Sequence, residues 1–61
     1  MKRNDLIRHL RRYGCHLLRE GGRHSIWKNP IAKKMTAIPR HNEIKEVMVH
    51  KICKDLKISK P

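Results

Sequence analysis

Glycine and proline break this chain at four points, and those breaks constrain its fold more than any other feature. They are Gly14, the pair Gly21-Gly22, the pair Asn29-Pro30, and Pro39. Helices and strands tend to stop at such residues, since glycine adopts left-handed backbone and proline has no N–H to donate. In a chain of 61 residues the breaks leave room only for short elements around one core. We therefore expect a single domain, residues 1–61.

The first and last segments have apolar residues at helical spacing. Asn4 is the expected N-cap of the first helix, and Asp5 follows in the first turn, where a negative charge suits the helix dipole. The apolar positions of this helix are Leu6, Ile7, Leu10 and Tyr13, and Gly14 ends it. The last helix is expected over residues 44–56. Its apolar stripe consists of Val49, Ile52, Cys53 and Leu56.

Three short strands are expected between the two helices. They are Cys15–Arg19, Arg23–Lys28 and Met35–Pro39. The pair Gly21-Gly22 should form a tight hairpin turn between the first two, because glycine reaches positive φ without a steric penalty. A three-stranded antiparallel sheet needs a cover for its apolar face, and two amphipathic helices provide one. The sequence therefore predicts an α+β fold of order α-β-β-β-α, with both helices on one face of the sheet.

The charge of the chain favours an anionic partner. There are 16 Lys and Arg against 5 Asp and Glu, a formal net charge of +11, and the basic residues are spread along the whole chain. A folded domain with this imbalance suits nucleic acid, an acidic protein or an anionic membrane. No apolar run reaches the roughly 18 residues that a membrane span requires, and no secretory signal core is evident. We expect a cytoplasmic protein, no membrane association, and reduced cysteines.

Four stretches of the chain form a specific combination. They are Tyr13-Gly14 after the opening helix, GGRH (residues 21–24) with an aromatic three residues later, AIPRHNEIK (37–45), and VHKICKDLKIS (49–59). In this combination the chain resembles the HicA-type toxins of bacterial and archaeal toxin–antitoxin pairs. The resemblance implies a fold like the double-stranded-RNA-binding domain and an endoribonuclease that cuts mRNA. It also implies a HicB-type antitoxin that covers the active site.

The resemblance assigns the catalytic position to His24. Histidine, with a reference pKa of about 6.5, can donate or accept a proton near neutral pH, so it can assist RNA cleavage by the 2′-hydroxyl without a metal. Gly21 and Gly22 have no side chains, so a phosphate backbone can approach His24 closely. Arg23 is a candidate phosphate contact. Considered without the family, a single histidine on a strand is more often a solvated residue.

Three more residues are expected to bind RNA, namely Lys28, Arg40 and His41. His41 has two interpretations. It matches a position that often carries histidine in the family, so it could supply the second proton transfer. It could equally be a residue that only leads into the last helix.

Some of the histidines and cysteines could instead bind a metal ion. His50 and Cys53 stand at i, i+3, and either Cys15 or His16 could approach from the first strand. Neighbouring strand residues point to opposite faces, which leaves at most three ligands, and structural zinc sites normally have four. We expect no metal and no cofactor.

Trp27 could stack on an unpaired base or belong to the core. Alternation places it with Ser25, opposite His24 and Ile26. In a chain without phenylalanine we favour the core position.

Three functions remain at this point. The first is a toxin that binds mRNA and cleaves it, monomeric when free and hetero-oligomeric with its antitoxin. The alternative is a double-stranded-RNA-binding module without chemistry, which would have no need of a histidine on the hairpin. The third is an interaction protein whose positive charge serves only to bind an acidic partner.

Overall fold

The computed structural model describes all 61 residues and contains two helices and one sheet. The elements are α1 (Arg3–Arg12), β1 (His16–Glu20), β2 (His24–Asn29), β3 (Lys34–Pro39) and α2 (Glu46–Asp55). The strands form one antiparallel sheet in the order β1-β2-β3. The predicted α-β-β-β-α order is confirmed. Each helix has ten residues, and neither is long and apolar enough to cross a membrane.

The start of α1 differs from the prediction. The N-cap is Lys2 and not Asn4, and no side chain caps the helix. Lys2 forms an isolated bridge with Glu43, and the Arg3 N–H donates to the Asn42 carbonyl at 2.8 Å. Contacts with a distant segment therefore set this helix start, and they override the local preference for asparagine. At the other end Gly14 has φ +81°, as its predicted role as a helix stop requires.

Most predicted boundaries are displaced by one or two residues. β1 and β2 each begin and end one residue later than expected, and α2 begins at Glu46 rather than Ile44. Cys15 is buried before β1 begins, and the Ile44 N–H donates to the Met1 carbonyl at 2.7 Å. Asn29 was expected to break β2 but is its last residue. It is buried, and its Nδ2 donates to the Leu56 carbonyl at 2.8 Å.

The hairpin between β1 and β2 needs glycine for a different reason from the one predicted. Neither Gly21 nor Gly22 has a positive φ, so left-handed backbone is not what the turn requires. The Gly21 N–H donates to the His24 carbonyl at 2.8 Å, and a Cβ on Gly21 would lie 2.7 Å from that same oxygen. A Cβ on Gly22 would meet nothing within 4 Å. The turn therefore requires glycine at residue 21 because there is no room for a Cβ there.

The core lies on one face of the sheet, between the sheet and both helices. Along β2 the side chains alternate, so that Ser25, Trp27 and Asn29 are buried while the residues between them are more accessible. The whole predicted stripe of α2 is buried, and the prediction of a core tryptophan is confirmed, since Trp27 is 3% exposed. The ten core residues are Leu6, Leu10, Cys15, Trp27, Ile38, Ile44, Val49, Ile52, Cys53 and Leu56.

We predict that alanine is costly at one hairpin glycine and nearly neutral at the other. Gly21→Ala should lower the free energy of unfolding by about 1–3 kcal/mol, because the new methyl group is forced against a backbone oxygen that cannot move freely. Gly22→Ala is the matched control and should change stability by no more than about 0.5 kcal/mol. Urea denaturation measures both. Equal losses in the two variants would contradict this description of the turn.

Two buried thiols should make stability depend on alkaline pH. Burial raises the pKa of Cys15 and of Cys53, and the second is raised further by the proximity of the first. Because the folded values are raised, the stabilisation is complete below the ordinary thiol pKa of about 8.5 and is lost as the pH rises through the folded values. The free energy of unfolding should therefore decline above about pH 8.5. The decline should be shallower in a Cys15→Ala/Cys53→Ala variant, and identical pH profiles would contradict the prediction.

Candidate active site

His24 is the first residue of β2, and its side chain is exposed. It lies opposite Pro39 of β3 in the antiparallel register. Because side chains alternate along a strand, His24 lies on the face of the sheet opposite to the core, together with Ile26 and Lys28. The hairpin therefore presents the histidine at one end of the uncovered face, as a surface group.

Two open clefts meet at His24. The first is lined by Gly22, Arg23, His24, Pro39, Arg40 and His41. The second is lined by His24, Pro39, His41, Glu43, Ile44, Lys45 and Met48. His24 and His41 belong to both walls, although 17 positions separate them in the sequence. The antiparallel pairing of β2 with β3, which ends at Pro39, thus places both histidines in the lining of the same clefts, and two imidazoles can act as an acid and a base on one bound group.

Two arginines border the first cleft, and only one of them has hydrogen-bond and ion-pair partners. Arg40 Nη1 donates to the Gly21 carbonyl at 3.1 Å, and Arg40 Nη2 lies 3.6 Å from Glu20 Oε2. The Arg40 N–H also donates to the Arg23 carbonyl at 3.3 Å. Arg40 is therefore held against the hairpin, whereas the exposed Arg23 guanidinium takes part in no ion pair or side-chain hydrogen bond and is free to contact an anion.

Lys28 is not brought to the clefts. It lies four residues beyond His24 on β2, about 13 Å away along the strand, and pairs with His16 and Met35. Lys28 shares the uncovered face with His24. Any contact that Lys28 makes with RNA is therefore to nucleotides further along the RNA strand from those at His24. Its predicted role in RNA binding remains a prediction.

A network that the sequence analysis missed holds the base of the site. Arg3 Nε donates to the Pro39 carbonyl at 3.0 Å, and Arg3 Nη2 donates to Ser25 Oγ at 3.0 Å. Ser25 Oγ in turn donates to the Glu20 carboxylate. Pro39 lies opposite His24 and Ser25 follows it, so a single guanidinium fixes both neighbours of the histidine.

The only sequence signal for this network was a weak one. Arg3 is a basic residue in the first turn of α1, where the helix dipole disfavours positive charge. A cation at such a position suggests an acceptor elsewhere in the fold, but periodicity cannot identify that acceptor.

The other histidines lie outside both clefts. His9 Nε2 is 2.7 Å from the Ser59 carbonyl, and His50 Nε2 is 3.8 Å from Glu46 Oε2. His16 is an exposed residue of β1. No group of three or more His, Cys, Asp or Glu side chains is arranged to hold a metal ion.

We predict that Arg3→Gln destabilises the protein by about 1–3 kcal/mol, because the Pro39 carbonyl and the Ser25 hydroxyl lose a charged donor. Arg12→Gln is the matched control. Arg12 lies on the same helix, is exposed and makes no ion pair, so its replacement should cost less than about 0.5 kcal/mol. Chemical denaturation of both variants checks the difference. A loss no larger for Arg3 than for Arg12 would show that the network does not stabilise the fold.

Comparison with known proteins gave one match. The model of a family described as "HicA toxin of bacterial toxin-antitoxin" matches residues 3–58, a range that contains all five elements of the fold. No curated protein and no solved structure matches the chain.

Proposed function

This chain belongs to the HicA toxin family, which makes it the toxin of a toxin–antitoxin pair, and we propose that it is a metal-independent endoribonuclease that cleaves mRNA with His24. The observation that supports the proposal most is the meeting of two clefts at His24, with His41 in both walls and Arg23 and Arg40 beside them. A protein that only bound RNA would have no need of two histidines that line the same clefts of a basic surface.

In the proposed reaction the RNA supplies its own nucleophile. His24 removes the proton from a 2′-hydroxyl, and the resulting oxygen attacks the adjacent phosphorus atom. The P–O5′ bond breaks, which leaves a 2′,3′-cyclic phosphate on one product and a 5′-hydroxyl on the other. The leaving 5′ oxygen needs a proton, and His41 is the candidate donor because it lines the same clefts. The proton balance then requires no metal-bound water.

The two arginines supply the positive charge that this reaction needs. Arg40 is held by the Gly21 carbonyl and by Glu20, so it offers a fixed charge beside the developing negative charge on phosphate. Arg23 contacts the backbone phosphate directly, and Lys28 contacts a phosphate further along the same face. The formal net charge of +11 attracts RNA to this surface.

The proposed inhibitor is a HicB-type antitoxin. A net-acidic antitoxin complements the toxin's charge, and it blocks the reaction by covering His24. We propose that the free toxin is a monomer in the cytoplasm and that it forms a hetero-oligomer with the antitoxin.

We predict that His24→Ala lowers the cleavage rate by at least about 100-fold, because the reaction loses its general base. The measurement is cleavage of a long unstructured RNA in EDTA. His16→Ala is the matched control, since His16 is also an exposed strand histidine but lies outside both clefts, and it should retain the native rate. Both variants should still bind the RNA.

Two outcomes would contradict the proposal. Equal cleavage by the native protein and His24→Ala would show that another residue, or a contaminant, does the chemistry. If the native protein binds RNA but does not cut it, either in buffer or with translating ribosomes, the alternative of a non-catalytic RNA-binding module is favoured.

A further inference from the structure

The uncovered face of the sheet has an apolar groove that the proposed reaction does not use. Its four apolar lining residues are Leu18, Ile26, Met35 and Ala37, which we call the outer groove. Leu18 is 50% exposed and Met35 is 56% exposed, although both are large aliphatic side chains. Both helices pack on the opposite face, so no part of this chain covers the groove. A chain with few apolar residues thus leaves several of them together in solvent.

An irregularity in β1 contributes to the groove. Leu17 pairs with Trp27 and Arg19 pairs with Ile26, so consecutive residues of β2 oppose residues of β1 that are two apart. Leu18 is the extra residue of a β-bulge. A bulge changes the direction of the side chains around it and is a typical means of redirecting one of them, here into the groove beside Ile26.

RNA is a poor occupant for the outer groove. Its apolar side chains are aliphatic, whereas proteins that bind single strands stack the bases on aromatic rings. The chain has one tryptophan and one tyrosine. Trp27 is buried on the other face, and Tyr13 lies beyond the end of α1. The base-stacking platform that RNA would need is therefore missing from this surface.

A second copy of the chain is also a poor occupant. Two molecules that each carry a formal charge of +11 repel one another, and pairing the two grooves would bring their basic rims together. Those rims include Arg19 in the wall and Lys28, which pairs with Met35 across the sheet. An aliphatic centre with a basic rim is complementary to a protein surface with an aliphatic centre and an acidic rim.

We propose that the outer groove is the anchoring site of the antitoxin, an acidic protein that inserts apolar side chains among Leu18, Ile26 and Met35. The inference rests on the proposed function only in taking the antitoxin as the partner. Ile26 and His24 share a face and are two residues apart, about 7 Å along the strand. A protein seated in the groove therefore extends over His24 without having to bind the imidazole itself. Affinity for the antitoxin and catalysis then depend on different residues of one continuous face.

The test is the affinity of the full chain for purified antitoxin, the protein encoded by the reading frame adjacent to that of the toxin. All proteins carry His24→Ala, so that they can be produced without toxicity, and isothermal calorimetry measures the dissociation constant. Leu18→Ala/Met35→Ala should bind at least about 30-fold more weakly, since anchors in a desolvated centre dominate binding energy. Ile31→Ala/Val47→Ala is the matched control, because both of its residues are exposed aliphatic side chains outside the groove. It should bind within about 2-fold of the parent.

Stability and RNA binding complete the test. If Leu18→Ala/Met35→Ala lowers the melting temperature, Met35→Gln, which keeps the length of the side chain, should still bind the antitoxin about 5-fold more weakly. Affinity for a fluorescent single-stranded RNA should not change in either groove variant.

Equal antitoxin affinity in the groove and control variants would overturn the proposal. Loss of RNA affinity in the groove variants, or a native dimer that they abolish, would also overturn it and assign the groove to RNA or to a second copy. Failure of the native toxin to cut RNA would contradict the proposed reaction but would leave this binding comparison intact.

Discussion

Both helices pack on the same face of the sheet, because a chain of 61 residues has enough apolar side chains for one small core and no more. Everything else in the structure depends on that arrangement. Alternation along β2 places Trp27 in the core and His24 with Ile26 on the uncovered face. The uncovered face has no packing role to fulfil, so it can carry the outer groove and present His24 at its end, where the histidine lines two clefts.

The site is shallow, but hydrogen bonds hold the backbone around it in place. Its support comes from contacts to the backbone on either side of His24. Arg3 binds the Pro39 carbonyl and the Ser25 hydroxyl, and the His24 carbonyl accepts from the Gly21 N–H. A small domain without a deep pocket can therefore still fix the backbone around an exposed histidine, because hydrogen bonds to the hairpin and to β3 replace the burial that a larger protein would use.

Periodicity predicted the parts of the fold that local sequence controls. The order of elements, the buried stripe of α2 and the core position of Trp27 all follow from side-chain spacing, and all are confirmed. The parts that failed depend on contacts between distant segments. Asn4 does not cap α1, because the Asn42 carbonyl binds the first turn. At the site, Gly22–His24 and Pro39–His41 line one cleft, but nothing local to Arg3 indicated that it supports that cleft.

A change in the substrate tests the proposal that this toxin cuts RNA through the RNA's own 2′-hydroxyl. An RNA oligonucleotide with one cut site is compared in EDTA with the same oligonucleotide carrying a single 2′-deoxy nucleotide immediately 5′ of the broken bond. If the 2′-hydroxyl is the nucleophile, the first is cut to a 2′,3′-cyclic phosphate and a 5′-hydroxyl, and the second is not cut at that bond. Cleavage of the 2′-deoxy substrate at that bond, or products with a 5′-phosphate, would contradict this mechanism, since either would require a nucleophile other than the 2′-hydroxyl.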